Sequence, residues 1–86
     1  MANADLILYH WLADPESARV RQWVVEHGLK SRIDFQNIDT EAVDAFAALG
    51  GRRVPALWDG TCLHVGPDDI RLALGAIIAA EEKSIT

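Results

Sequence analysis

Between Asp5 and Asp39 the chain passes from a strand pattern to a helix pattern and back again, and this narrows its fold more than any other feature. The run "DLILYHW", residues 5–11, is rich in aliphatic and aromatic side chains, as a buried strand is, and it gives way to Asp14-Pro15. From Pro15 to His27 the apolar residues Ala18, Val20, Trp23, Val24 and Val25 recur at helical spacing, Arg19, Arg21, Gln22 and Glu26 take the other face, and Gly28 follows as a stop. "RIDFQNID", residues 32–39, then alternates Ile33, Phe35 and Asn37 against Asp34, Gln36 and Ile38. Two strands joined through a helix pair in parallel, by a right-handed crossover.

The rest of the chain extends that unit. A short helix is expected after Asp39-Thr40, with Val43, Phe46 and Ala47 on its buried side and Leu49-Gly50-Gly51 as its end. "RRVPALWDGTCLHVG" reads as a strand at 54–58, a turn at Asp59-Gly60 and a returning strand from Cys62 to Val65, an antiparallel hairpin. Gly66-Pro67-Asp68-Asp69 opens a last helix through Ile70, Leu72, Leu74, Ile77 and Ile78, with acidic residues at its positive end. The expected class is α/β, in the order β-α-β-α-β-β-α, with one four-stranded mixed sheet and three helices. No repeat or linker divides the 86 residues, so 1–86 reads as a single domain with its core at about 5–80 and a short flexible tail after about 81.

Composition removes several classes of function. Eight Lys and Arg against thirteen Asp and Glu leave a net charge of -5, which disfavours nucleic acid and anionic membranes. No segment approaches the roughly 20 apolar residues of a spanning helix, and the start carries no basic leader, so no membrane association and a cytoplasmic location are expected. One cysteine, Cys62, makes neither a disulfide nor a CxxC pair, and with three scattered His it makes no zinc signature, so no metal is expected. Cys62 itself, placed in the returning strand, is expected to be a small buried hydrophobe, and Trp23 and Trp58 are expected in the core.

Three local patterns, taken with their spacing, resemble a known family. "ILYHWLADPESARVRQWVVEHGL" is laid out like a strand, an active-site loop and a helix closed by glycine; "GGRRVPALWDG" looks like a segment that presents a cis-proline; "VGPDDIRLAL" is similar to a Gly-Gly-x-Asp-Asp-Leu run. Together, over about Leu6 to Leu74, they resemble the thioredoxin fold, and within it the glutaredoxins and the N-terminal domain of glutathione transferases. That resemblance sets Asp14 and Ser17 where glutaredoxins carry their two cysteines, with Pro15 kept between them. A carboxylate at a helix start cannot attack a disulfide, so dithiol exchange is not expected.

The resemblance implies ligand-binding roles for Trp11, Asp14, Ser17, Arg53, Val54, Pro55, Asp68 and Asp69. It implies a cis peptide at Val54-Pro55 beside an exposed backbone edge that pairs with a thiol peptide, as in strand addition. It makes Ser17 the candidate catalytic hydroxyl of a transferase-like site, although Asp14 sets a second negative charge beside any thiolate there. Gly66-Pro67 stands where transferases tend to carry Glu-Ser, and Pro67 has no N–H to give. Each residue also has a plainer reading. Asp14-Pro15-Glu16 is an ordinary capped helix start; Ser17 reads as a solvated first-turn residue; Pro55 reads as an edge-strand proline; Arg52 and Arg53 read as solvated charges; Trp11 reads as core margin or as the lip of a cleft.

Three functions stay open on these residues. One is a binding module without redox cysteines, taking glutathione or another thiol peptide, or a protein, with no tightly bound cofactor. Another is a glutathione-dependent transferase-like enzyme working through Ser17. The last is an assembly domain, for "ALGAIIAA" spreads apolar residues over more than one face of the last helix and suits a homodimer or a docked partner.

Overall fold

The computed structural model describes residues 6–39 and 43–85, with side chains described through residue 80. Its elements are β1 (Leu6–His10), α1 (Pro15–Glu26), a 3-10 turn (Lys30–Arg32), β2 (Ile33–Asn37), α2 (Val43–Ala48), β3 (Ala56–Trp58), β4 (Leu63–Val65) and α3 (Pro67–Ile85). The four strands form one sheet in the order β2-β1-β3-β4. β1 runs parallel to β2, from Leu6 opposite Ile33 to His10 opposite Asn37, while β3 is antiparallel to both β1 and β4. The expected α/β class, element order and mixed sheet are therefore present.

Strand geometry divides the core in two. Alternate side chains of a strand point to opposite faces, so Leu6 and Leu8 of β1 and Leu57 of β3 pack with Val20 and Val24 of α1 and Ile70 and Leu74 of α3. Tyr9 and Ala56 turn the other way, onto Phe46 of α2, with Ile7, Val54, Trp58, Leu63 and Val65 around them. A central strand covered on both faces favours apolar side chains on both, which is why residues 6–9 show no polar alternation before the strand ends on the buried His10. A fully buried leucine such as Leu8 contributes about 2 kcal/mol through removal from water. Gly51 lies tight against the Phe46 ring, where a Cβ would come within 2.3 Å of ring carbon.

Several boundaries differ from the expectations. β3 begins at Ala56, two residues later than expected, because Pro55 has no N–H for a ladder. β4 begins at Leu63, leaving Cys62 in the turn and exposed, so it is not a buried hydrophobe. The cause is Asp59, whose Oδ1 accepts from the Thr61 and Cys62 N–H groups at 2.8 and 2.7 Å and holds both amides in the turn. Trp23 and Trp58 are half-buried at the core margin, and Trp23 stacks on His27 at 3.9 Å. Val25 and Leu72, counted on apolar faces, are exposed, and so are Val43 and Ala47, expected on the buried side of α2, which buries Phe46. α3 continues helically to Ile85, past the expected start of a tail. The expected strand residue Asp5 and helix-start residue Thr40 lie outside the described residues. Among the described residues no helix is long and apolar enough to cross a membrane.

Candidate functional site

The topology gathers the candidate residues at one end of the sheet. β1 leaves the sheet there through Trp11, β3 comes in there through Val54-Pro55, and β4 leaves there through Gly66 into α3. A hydrogen bond ties two of these pieces together, Gly66 N–H donating to the Pro55 carbonyl at 2.9 Å. Val54-Pro55 is cis, as the resemblance implies. Pro55 is fully buried and Val54 half-buried. Val54 makes no backbone hydrogen bond among the described residues, lying outside the β1–β3 ladder that starts at Ala56.

At the start of α1, Asp14 is the N-cap in extended backbone conformation, as its Asp-Pro sequence suggests. Its Oδ2 accepts from the Ser17 N–H at 2.8 Å and from the Ser17 hydroxyl at 2.9 Å. The Ser17 oxygen in turn accepts from the Trp11 N–H at 3.3 Å. Ser17 has no solvent exposure, which corrects its reading as a solvated first-turn residue. The physical reason is helical register. Ser17, Val20 and Val24 are the buried residues of α1, and stepping back one turn from the two valines lands on Ser17. Ala18, read as part of that face, is exposed instead.

This arrangement decides what Ser17 can do chemically. A hydroxyl has one proton to give, and here it goes to Asp14. A ligand thiolate beside this loop would meet a donor already committed to a carboxylate. Tyr9, which carries the hydroxyl of β1, faces α2 with its ring 5.0 Å from that of Phe46. Burial, and then the charge of Asp34, push its phenol up from the ordinary value, so it keeps its proton.

The sequence did not point to Arg21, whose guanidinium binds the loop from below. Its Nη1 donates to His10 Nδ1 at 3.1 Å and to the Trp11 carbonyl at 3.4 Å, and its Nη2 donates to the Leu12 carbonyl at 3.5 Å. His10 is buried and set edge-on to Phe35. An arginine one turn beyond Ser17, near a strand end with open carbonyls, is the signal that could have found it. Trp11 is exposed, which favours the lip over the core.

On the α3 side, Asp68 and Asp69 are exposed in the first turn, and Asp68 pairs with Arg71. A groove of about 350 Å³ runs between α1 and α3, lined by Arg19, Trp23, Glu26, Asp68 and Arg71 among others. It shares Asp68 with the candidate residues but not Val54, Pro55 or Trp11. On α3 itself, Leu72, Gly75, Ala76 and Ala79 are exposed, whereas Ile77 and Ile78 are half-buried against the core. No group of His, Cys, Asp and Glu suited to a metal occurs among the described residues. Compared with known proteins, the chain matches no family model and no curated protein.

Proposed function

We propose that this domain is a glutaredoxin-like module of the thioredoxin type that has no redox-active cysteines and binds a thiol peptide, glutathione being the smallest, along the Val54 backbone. The observation that carries the reading is the Val54 backbone, without a hydrogen-bond partner among the described residues, at the end of the sheet where the β1–α1 loop and the start of α3 also lie. A backbone N–H and C=O without a partner among the described residues offer the pairing an extended peptide needs, and such a peptide takes it by strand addition. The sheet order, with a parallel β1–β2 pair and an antiparallel β3–β4 hairpin, is compatible with the thioredoxin-like arrangement. Arg53 supplies a cation for a ligand carboxylate, and Asp69 a carboxylate for a ligand amino group. Asp14 and Ser17 shape the loop beside the ligand and do no chemistry on it, because the Ser17 hydroxyl proton and N–H are both given to Asp14 Oδ2.

The test is a titration of isotope-labelled protein with reduced glutathione, read by amide chemical shifts. Binding in this cleft moves residues 52–56, with smaller shifts at Asp14 to Ser17 and at Asp68 to Asp69. If no amide in those segments moves at millimolar ligand, the cleft is not a thiol-peptide site.

A further inference from the structure

Trp11 and Leu12 are the large apolar side chains that the β1–α1 loop leaves in water, 44% and 64% exposed. The backbone beneath them is held firmly. The Trp11 N–H is bonded to Ser17 Oγ, the Trp11 carbonyl accepts from the Asp14 N–H at 3.0 Å and from Arg21, and the Leu12 carbonyl accepts from Arg21. A loop fixed in this way has little freedom left to lose when a partner docks, so its exposed side chains form a preorganised contact. Arg52 and Arg53, on the segment leading into Val54, are both exposed, and neither has a carboxylate partner among the described residues. They stand out in a chain whose net charge is -5. Apolar surface, two guanidinium groups without a carboxylate partner and a backbone without a hydrogen bond among the described residues therefore lie at one end of one sheet.

We propose that the natural occupant is an extended segment of another protein in which apolar side chains and carboxylates flank the residue paired with Val54. The inference rests on the thiol-peptide reading of the cleft and adds to it what selects the ligand. The apolar side chains cover Trp11 and Leu12, and the carboxylates meet Arg52 and Arg53. Glutathione offers carboxylates and a backbone but no large apolar side chain, so it fills the backbone part of the site and leaves the lip bare.

The experiment titrates the full chain with reduced glutathione and with two capped peptides, Asp-Leu-Cys-Leu-Glu and Asp-Gly-Cys-Gly-Glu. Each is used against the wild type and the double variant Trp11→Ser, Leu12→Ser, whose replaced side chains are exposed and not part of the core. All three ligands are expected to move residues 52–56 of the wild type. Burying one leucine partly on the lip makes the leucine peptide bind about tenfold tighter than the glycine peptide, and the double variant loses that advantage. Equal affinities in the wild type, or an advantage that survives in the variant, overturn the lip and leave the cleft standing. Absence of shifts at residues 52–56 with every ligand overturns the cleft reading, and the lip with it.

Discussion

Asp14 and Asp59 sit at opposite ends of the sheet, and each closes a turn by taking up amides that follow it in the chain. They differ in what else the carboxylate holds. At Asp14 a single oxygen, Oδ2, takes both the N–H and the hydroxyl of Ser17, deep under the β1–α1 loop. At Asp59 the work is divided: Oδ1 takes the Thr61 and Cys62 amides, and Oδ2 lies 2.7 Å from His64 Nε2 in a partly exposed hairpin. The residue type is the same, so the surroundings set the outcome. Where the third residue on is buried, the aspartate consumes a hydroxyl that would otherwise be reactive. Where it is exposed, the aspartate shapes an edge turn and turns a cysteine out to solvent.

The sharpest way to break this comparison is to remove the buried cap. Asp14→Ala leaves the Ser17 N–H and hydroxyl without their acceptor, and the lost cap and the stranded hydroxyl together cost about 2 kcal/mol. The measurement is the shift of the urea midpoint at constant slope. A loss as small as that of an exposed substitution would mean that Asp14 caps a helix whose first turn is solvated, and the difference between the two turns would vanish.

Much of the architecture was legible in the chain because it depends on periodicity. The all-apolar β1, the α1 stripe and the Asp-Gly turn each obey a local rule, and local rules put the elements in order. What stayed hidden depends on three-dimensional register. Ser17 was misread because a serine in a first turn carries no hydrophobic signal, and only its step from Val20 and Val24 marks it as interior. Cys62 was misread because its strand pattern is undone by a side-chain oxygen three residues earlier. Arg21 left only a faint signal, its position one turn beyond Ser17, because its partners are the His10 ring and backbone carbonyls in another segment, and sequence spacing encodes no backbone position. In the candidate site, Asp14 was legible as a cap; that its acceptor oxygen also ties down a buried hydroxyl was not.

Ser17→Ala separates the two parts of the Asp14 interaction. The amide bond to Oδ2 remains, while the Trp11 N–H loses its acceptor, and the expected cost is about 1 kcal/mol in the same urea experiment. The variant should still bind whatever the wild type binds at Val54, since the hydroxyl does no chemistry there. A variant of unchanged stability that has lost ligand binding would reverse the assignment, making the hydroxyl a ligand contact and not a part of the loop.

The smallest effect is expected at the exposed turn, and it is the one with a pH signature. The amide of Cys62, then His64, then the amide of Thr61 hold the Asp59 carboxyl down at about 2 from its ordinary 3.8. A depressed carboxyl means that the unfolded chain binds its proton at higher pH than the folded one, so stability rises with pH across that interval. The contribution is complete above about 3.8 and is lost as the pH falls through about 2. Because the pair is partly exposed and screened, its worth is about 0.5 kcal/mol, the scale of a surface ion pair. Asp59→Asn keeps an oxygen for the two amides and removes the charge. Its deficit against the wild type should therefore be present near neutral pH and shrink as the carboxyl protonates, while the Asp14→Ala deficit at neutral pH stays several-fold larger. A deficit in Asp59→Asn that is constant down to the acid limit would mean that the hairpin is held by the geometry of its amide bonds alone, and that charge plays no part in distinguishing the two turns.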